Sequence, residues 1–251
     1  MCKNVRNSND KGEKALNNNE INSDNHTLTI RPIGHIASHF QSKFGTPRQS
    51  GLVPDSVSRI IVEKEYQNED YFRGITDFSY LWLIWEFSKN TGHKISPTVR
   101  PPRLGGNKRM GVFATRSPYR PNSLGLSLVK LERLDLDPSC GPVLVVSGAD
   151  LLDGTPIYDI KPYLVGTESK PQAVSGFAQA VPYDRLSIED PHHLIDCLPE
   201  KEQKELVETL SLDPRPSYQQ DPDRIYGLNF ASHNVRFQVR DKTLRIIEID
   251  S

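Results

Sequence analysis

The chain has 251 residues, of which 36% are hydrophobic and 25% charged, and its formal net charge of -1 gives no global preference for a polyanion. Its three cysteines, Cys2, Cys140 and Cys197, are too widely spaced for a disulfide framework or a zinc site. No signal peptide and no apolar run long enough to span a bilayer is visible, which predicts a soluble, cytoplasmic protein without a membrane partner.

Residues 1–27 are rich in Asn, Lys, Asp, Glu and Ser, a composition that predicts a disordered polar tail. Residues 28–170 instead carry short β-type patterns separated by Gly and Pro. The expected strands are, in chain order, Leu28–Ser38, Val57–Val62, Phe78–Phe87, Arg109–Arg116, a period-two run from Leu124 to Leu128, Val143–Ser147 and Ile157–Ile160. Because no long helix interrupts them, the pattern favours a β-barrel or sandwich over a doubly wound fold.

Two segments of this β-rich region carry a finer expectation. Phe78–Phe87 is so continuously apolar and aromatic that we expect a strand buried on both faces. Asp153-Gly154, between the last two strands, has the sequence of a hairpin turn.

The sequence changes character in residues 171–251. Pro199–Leu210 predicts an amphipathic helix, and the Asp213-Pro-Arg-Pro motif ends it. Ile225–Arg240 and Leu244–Ile249 then predict two strands. We therefore expect a small C-terminal α+β domain in this region.

Local charge is the most informative feature of the chain. Between Phe87 and Leu131 there is no Asp or Glu, and the basic residues are Lys89, Lys94, Arg100, Arg103, Lys108, Arg109, Arg116, Arg120 and Lys130. Such a segment suits a polyanion, because each Lys or Arg near a phosphate releases a counterion. A solvated face paired with acids elsewhere in the chain is the alternative.

Two proline-stiffened motifs lie within this acid-free segment. Arg100-Pro-Pro-Arg-Leu-Gly-Gly-Asn fixes two arginines on a rigid loop, and guanidinium groups suit bidentate phosphate contacts. Gly111-Val-Phe-Ala-Thr-Arg-Ser-Pro-Tyr-Arg-Pro-Asn places Arg116 at a predicted strand end, with Tyr119, Arg120 and Asn122 in the next loop. An exposed inter-strand loop and an interior ion pair of Arg116 are the competing interpretations.

Several nucleotide and metal signatures are missing from the sequence. It contains no GxGxxG opening a helix after a strand, no phosphate-binding GxxxxGK[ST] and no GxSxG nucleophile elbow. His192-His193 has no partners at metal-ligand spacing, so no metal is expected.

Taken together, the motifs resemble the TsaA-like (TrmO) family of tRNA methyltransferases. The resemblance covers about Ile30 to Tyr163. The segments that carry it are RPPRLGGN from Arg100, MGVFATRSPYRPN from Met110, PRQ at Pro47–Gln49 and DGTPIYDIKPY from Asp153, with DPRP at Asp213–Pro216 and NVRF at Asn234–Phe237 near the C-terminus.

This resemblance implies a non-Rossmann, TsaA-like β-barrel transferase that forms a homodimer and binds S-adenosyl-L-methionine near the dimer interface. The implied reaction is a tRNA modification: methylation of N6 of threonylcarbamoyladenosine at position 37, beside the anticodon of threonine tRNA. The anticodon stem-loop is thus the expected partner. A non-catalytic tRNA- or nucleotide-binding module and a nucleotide hydrolase stay open as alternatives, since both could use the same basic segment.

Family cofactor contacts map onto Pro47, Arg48, Gln49, Ser88, Lys89, Arg116, Asp153, Gly154, Thr155 and Pro156. Where other members read FHQ, this chain reads Phe87-Ser88-Lys89, so contacts there would come from the backbone. Expected tRNA contacts are Arg100, Arg103, Lys108, Arg109, Tyr119, Arg120 and Asn122. Phe113 is the other aromatic considered for base stacking, although ordinary packing is favoured for it.

The general base is not defined by any motif. The accepting nitrogen must lose a proton, and Asp159 is the hypothesis for the group that takes it, with Lys161 holding the resulting anionic form.

The acid-free segment generates a first prediction. If several of its cations contact phosphates, affinity for tRNA falls about tenfold or more between 50 and 200 mM salt, because bound counterions are released on association. Titration of labelled tRNA at a series of salt concentrations measures the slope. An affinity that does not change with salt would contradict the interpretation.

Overall fold

A computed structural model describes residues 27–90, 92, 94–180, 185–215, 219 and 221–250. The expected polar tail, residues 1–27, lies outside the described residues except for Thr27. Pro32–Ser251 form one compact unit. No described helix is long and apolar enough to cross a membrane.

Among the described residues the chain is mainly β, as predicted. The strands are β1 Gly34–Ala37, β2 Val57–Val62, β3 Tyr80–Glu86, β4 Thr98–Val99, β5 Met110–Gly111, β6 Leu124–Asp137, β7 Gly141–Ser147, β8 Pro156–Pro162, β9 Ser187–Glu189, β10 Ile225–Phe230, β11 His233–Arg240 and β12 Thr243–Asp250. The α-helices are α1 Val165–Glu168, α2 Phe177–Ala180 and α3 Glu200–Ser211. Short 3-10 helices occupy Lys64–Tyr66, Glu69–Phe72, Ile75–Asp77, Ser88–Asn90, Pro102–Leu104, Val112–Ala114 and Leu194–Cys197.

Six strands form a closed barrel in the order β1-β2-β7-β6-β3-β8, with β8 hydrogen-bonded back to β1. Each neighbouring pair is antiparallel. Inward side chains fill the interior, and Ile36, Leu83 and Ile157 are fully buried there. Closure leaves no free edge strand, which removes unpaired backbone groups that would otherwise attract other chains.

Strand β3 alternates between the barrel interior and its outer surface. Leu81, Leu83 and Trp85 are buried, whereas Trp82 and Ile84 are only half-buried. The expectation of a strand buried on both faces is therefore wrong. A barrel wall has one inner and one outer face, so the continuous apolar run leaves an apolar stripe on the outside.

Strand β6 shows the same alternation with its leucines on the outside. Leu124 and Leu126 are exposed, and the residues that follow each of them, Gly125 and Ser127, are buried. A Cβ at Gly125 would lie 2.3 Å from the indole ring of Trp85, so only glycine lets that ring lie against β6.

Three predicted elements differ from the observed ones. The first strand is confined to Gly34–Ala37. Arg109–Arg116 is not a strand: β5 ends at Gly111, and a 3-10 helix follows at Val112–Ala114. Asp153-Gly154 does not close a hairpin, because β7 pairs with β2 and β6 while β8 pairs with β1 and β3.

The C-terminal sheet has the order β10-β11-β12-β9 and packs with α3 around its own hydrophobic cluster. The helix begins one residue after Pro199, close to its predicted bounds, and buries Leu206 and Leu210. The predicted strand Ile225–Arg240 is two strands, β10 and β11. Ala231 turns the chain between them with a φ of 50°, a conformation that its residue type does not signal.

A buried carboxylate on α3 joins this helix to the barrel. Glu205 is 2% exposed, and its two oxygens are bonded to Ser56 Oγ at 2.7 Å and His39 Nδ1 at 3.1 Å. The hydrogen bond to Glu205 raises the pKa of His39 above its ordinary value, although burial opposes the shift. His39 follows β1 and Ser56 precedes β2, so one side chain holds two barrel segments against the helix.

The hydrogen bonds of Glu205 to Ser56 and His39 generate a stability prediction. Glu205→Ala is expected to lower the free energy of unfolding by about 2 kcal/mol, because a charge-assisted hydrogen bond is lost and the Ser56 hydroxyl keeps no partner there.

A group whose pKa is raised on folding stabilises the folded protein at pH values below its unfolded pKa. That contribution is lost as the pH rises through its folded pKa.

The stability difference between wild type and His39→Ala is therefore expected to shrink as the pH rises above about 6.5. Chemical denaturation across that range measures it. A difference that is independent of pH would show that His39 is not charged in the folded protein.

Candidate functional site

A cavity of about 1,250 Å³ is lined by residues of strands β3 and β6 and by loops of the acid-free segment between Phe87 and Leu131. It is larger than most small-molecule pockets, which measure roughly 300–1,000 Å³. Apolar side chains of β3 and β6, with one residue after β3 and one in the loop after β7, form what we call its floor: Ile84, Trp85, Phe87, Leu124, Leu126 and Leu152. Such a floor suits the flat faces of an aromatic base, and the volume leaves room for a second ligand group.

The first wall of the cavity is the segment Pro47–Gln49, and all three residues line it. Arg116 Nη1 donates to Gln49 Oε1 at 2.6 Å, which brings together two predicted cofactor contacts that are distant in sequence. Arg48 Nη2 donates to the carbonyl oxygen of Arg215 at 3.3 Å. The competing interpretation of Arg116 as one half of an interior ion pair is wrong, because its side chain is exposed at the cavity rim.

A second wall is the 3-10 helix Ser88–Asn90 after β3. Ser88 and Lys89 both line the cavity. Lys43 Nζ donates to the carbonyl oxygen of Lys89 at 3.0 Å and also bonds Asn90 Oδ1, which ties this turn to the segment preceding Pro47.

The Asp153–Pro156 turn touches the cavity at one point. Thr155 is buried and lines it, whereas Asp153, Gly154 and Pro156 do not. The turn is held by the segment around β1: Ser38 N donates to Asp153 Oδ1 at 3.0 Å, and Gly154 N donates to the carbonyl oxygen of Ile36 at 2.8 Å. These bonds fix the position of Thr155.

The rim of the cavity is basic. Most of the predicted tRNA contacts lie in its lining, namely Arg100, Arg103, Arg109, Tyr119, Arg120 and Asn122, whereas Lys108 does not. Arg109 Nη1 donates to Thr98 Oγ1 at 2.9 Å, and Arg103 Nη2 donates to the carbonyl oxygen of Ala178 at 2.8 Å. Phe113 is 78% exposed and is not among the lining residues, so it packs neither in the core nor against the cavity.

Two acids stand among the eight Lys and Arg residues that the described lining contains. Glu86 accepts a hydrogen bond from Tyr158 Oη at 2.7 Å, which contributes most to raising the pKa of Tyr158 to about 12. Asp150 accepts one from Ser127 Oγ, which itself accepts from Trp85 Nε1 at 2.9 Å. Burial raises the pKa of Asp150 to about 6, although Ser127 and Arg116 oppose the shift.

Sequence reasoning missed Asp150. It stands three residues before the Asp153-Gly154 pair, and nothing in the spacing separates it from that turn. The available signal was its place three residues after the buried strand β7, where a polar side chain close to a strand end meets a loop-built site.

Asp159 and Lys161 are not brought to the cavity. They pair with each other at 2.8 Å, and both side chains are substantially exposed. Their placement on β8 gives no support to the hypothesis that they take part in catalysis. Among the described residues, no group of three or more His, Cys, Asp or Glu could hold a metal ion.

The geometry defines a class of protein: a β-barrel with a cation-rimmed, apolar-floored cavity suited to a nucleotide. The chain belongs to the tRNA-methyltransferase O family. The model of that family's N-terminal domain matches residues 35–169, and the model of its C-terminal domain matches residues 196–251.

Known relatives extend over almost the whole chain. It is 38% identical over 234 residues to a tRNA (adenine(37)-N6)-methyltransferase of Escherichia coli, covering 89% of this chain and 98% of the relative. It is 34% identical over 231 residues, with the same coverage, to a putative S-adenosylmethionine-dependent methyltransferase of Pseudomonas aeruginosa. A crystal structure of TrmO from Pseudomonas aeruginosa superposes with a TM-score of 0.72 at 28% identity, covering 90% of this chain and all of that one.

Proposed function

We propose that this protein transfers the methyl group of S-adenosylmethionine to N6 of adenine 37 in tRNA. The observation that carries the proposal is the cavity itself, in a chain that belongs to the tRNA-methyltransferase O family. It joins a basic rim suited to an RNA backbone with an apolar floor suited to a base, and it is large enough for a cofactor and one nucleotide together.

The donor groups around the cavity fit S-adenosylmethionine. Its carboxylate would accept hydrogen bonds from the Arg116 guanidinium and from the backbone of Ser88–Lys89, and its adenine would pack against the apolar floor. The residues that would hold it are Pro47–Gln49, Ser88–Lys89, Arg116 and Thr155, the last fixed by the Asp153–Pro156 turn. When bound, the cofactor supplies an electrophilic methyl group on a sulfonium centre.

On the substrate side, the rim residues contact phosphates and Tyr119 stacks on a base. Methyl transfer needs little more than alignment of N6 with the methyl carbon, so positioning supplies much of the acceleration. An adenine in the anticodon loop is already unpaired, and turning it into the cavity costs less than extracting it from a duplex. Arg100, Arg109 and Arg120 hold the loop while the base enters.

Within this function, the substrate base is threonylcarbamoyladenosine of threonine tRNA and the reaction takes place in the cytoplasm. The active form is a homodimer, and the outer face of β3 and β6 supports this. Register pairs Trp82 with Leu128 and Ile84 with Leu126, so half-buried and exposed apolar residues form one stripe. Leu126, 50% exposed, also lines the cavity, so a cofactor bound there would lie beside that stripe.

The functional test is direct. Incubation of purified protein with S-adenosylmethionine and tRNA is expected to give N6-methylated adenosine at position 37, detected by mass spectrometry of nuclease digests. Transcripts carrying threonylcarbamoyladenosine are expected to react faster than unmodified ones. A non-catalytic binding module would retain tRNA and leave its mass unchanged, and a hydrolase would consume a nucleotide without methylating RNA.

Arg116→Ala tests the cofactor wall. We expect it to weaken S-adenosylmethionine binding by about 10- to 100-fold, because a charge-assisted hydrogen bond contributes about 1.5–3 kcal/mol. Calorimetric titration measures the affinity. The unfolding temperature is expected to change little, since an exposed arginine adds little stability.

Arg109→Ala is the matched control, because Arg109 is a lining arginine among the predicted tRNA contacts. It is expected to weaken tRNA binding and leave cofactor affinity unchanged. Arg103→Ala is expected to act in the same direction, but Arg103 also holds the Ala178 carbonyl, so its tRNA effect includes the position of α2. Loss of cofactor binding in Arg109→Ala, with normal binding in Arg116→Ala, would reverse the assignment of the two walls.

A further inference from the structure

Asp150 is a cavity-lining acid that is neither a proposed cofactor contact nor a proposed tRNA contact. It follows β7 and lines the same cavity as Arg116, Thr155 and Trp85. The surrounding protein holds it in place, because Ser127 Oγ donates to Asp150 Oδ1 and the backbone of Ser50 bonds the same carboxyl group. A carboxyl group fixed in this way at the floor of a ligand cavity is positioned to meet a ligand.

The proposed reaction has a proton to dispose of. The lone pair of the target N6 is delocalised into the base, and a nitrogen that gains a methyl group while keeping its proton becomes cationic. A base within reach of N6 removes this cost. Among the described lining residues, the carboxylates of Glu86 and Asp150 are the side chains whose charged form accepts a proton, whereas the eight Lys and Arg residues are already protonated.

We infer that Asp150 accepts the N6 proton of the target adenine during methyl transfer, an inference that rests on the proposed function. The bond between N6 and the methyl carbon forms as the bond between that carbon and sulfur breaks, and the electron pair of the broken bond stays on sulfur. The N6 proton moves to an Asp150 carboxylate oxygen. The products are a neutral thioether, a methylated base and a protonated Asp150, which then releases its proton to water.

The other acids of the region are less suitable. Glu86 is engaged by the Tyr158 hydroxyl. Asp159 lies outside the cavity and is paired with Lys161. For Asp150, burial holds the pKa at about 6, a value close to that of effective general bases at neutral pH. The positive charge of Arg116 acts on Asp150 and favours its carboxylate form.

Asp150→Asn is the primary test, since it keeps the size of the side chain and removes the proton acceptor. Under single-turnover conditions with saturating cofactor, we expect the methyl-transfer rate to fall by about 10²- to 10⁴-fold. Binding of S-adenosylmethionine and of S-adenosylhomocysteine, measured by calorimetry, is expected to change less than threefold. Asp135→Asn, which removes an exposed carboxylate paired with Arg133 on β6, is the control for a general charge effect.

The pH profile supplies a signature that a structural role would not give. For wild type, kcat/KM is expected to rise through about pH 6 and then level, because only the carboxylate form accepts a proton. Ser127→Ala removes a hydrogen bond that favours the charged form, so the rise is expected to move to higher pH. Asp150→Asn is expected to lack this rise. Thermal melts identify any variant that fails to fold.

The outcomes separate the inference from the function on which it rests. If wild type does not methylate tRNA, the proposed function is wrong. If wild type is active and Asp150→Asn keeps its rate and its pH profile, Asp150 is not the proton acceptor. If Asp150→Asn loses cofactor affinity in proportion to its loss of rate, Asp150 is a cofactor contact instead. In that case, a larger loss of affinity for S-adenosylmethionine than for S-adenosylhomocysteine would place Asp150 beside the sulfur. Each of the last two results overturns the inference.

Discussion

The contact between the Trp85 ring and Gly125 is the constraint on which the cavity depends. Because β6 carries no side chain at that position, the indole lies flat against its backbone and aligns Nε1 with Ser127. Ser127 in turn holds the carboxylate of Asp150. Any larger residue at Gly125 would displace the ring and, with it, every group of this chain of hydrogen bonds. A packing requirement between two barrel strands thus sets the chemistry of the cavity floor.

The charged groups of the cavity differ in exposure. Most of the cations in the lining, such as Arg100, Arg109 and Arg116, are exposed and can meet phosphates from solution, whereas Asp150 is half-buried. Electrostatic interactions strengthen as water is excluded, so one partly buried carboxylate can act on a ligand that several exposed arginines have brought in. A near-neutral net charge is compatible with RNA binding because the acids of the chain lie outside the segment that carries these arginines.

The sequence predicted those features that depend on local pattern. Val57–Val62 and α3 were found almost to the residue, and the wall residues Pro47–Gln49 and Arg116 followed from the family motifs. Features that depend on tertiary contact were not predictable in this way. The outward orientation of Leu124 and Leu126 follows from barrel closure, and the split of Ile225–Arg240 follows from a positive φ at Ala231, a residue type that gives no turn signal.

The same distinction applies to the acids. Asp159 lies in the DGTPIYDIKPY motif, and only the fold reveals that its partner is Lys161 and that neither residue lines the cavity. No motif marks Asp150, and its raised pKa arises from burial in the folded protein, opposed by Ser127 and Arg116, which lie 23 and 34 positions earlier in the sequence. Spacing within one segment carries no information about such an environment.

The hydrogen bond from Arg48 to Arg215 spans 167 positions of the chain. During synthesis on the ribosome the Pro47–Gln49 segment emerges early, whereas the strand-and-helix region that supports it is still untranslated. The nascent chain therefore lacks the carbonyl oxygen that Arg48 binds until residue 215 has been added. A chain shortened before that residue would keep all six barrel strands, but its Arg48 side chain would have one hydrogen bond fewer.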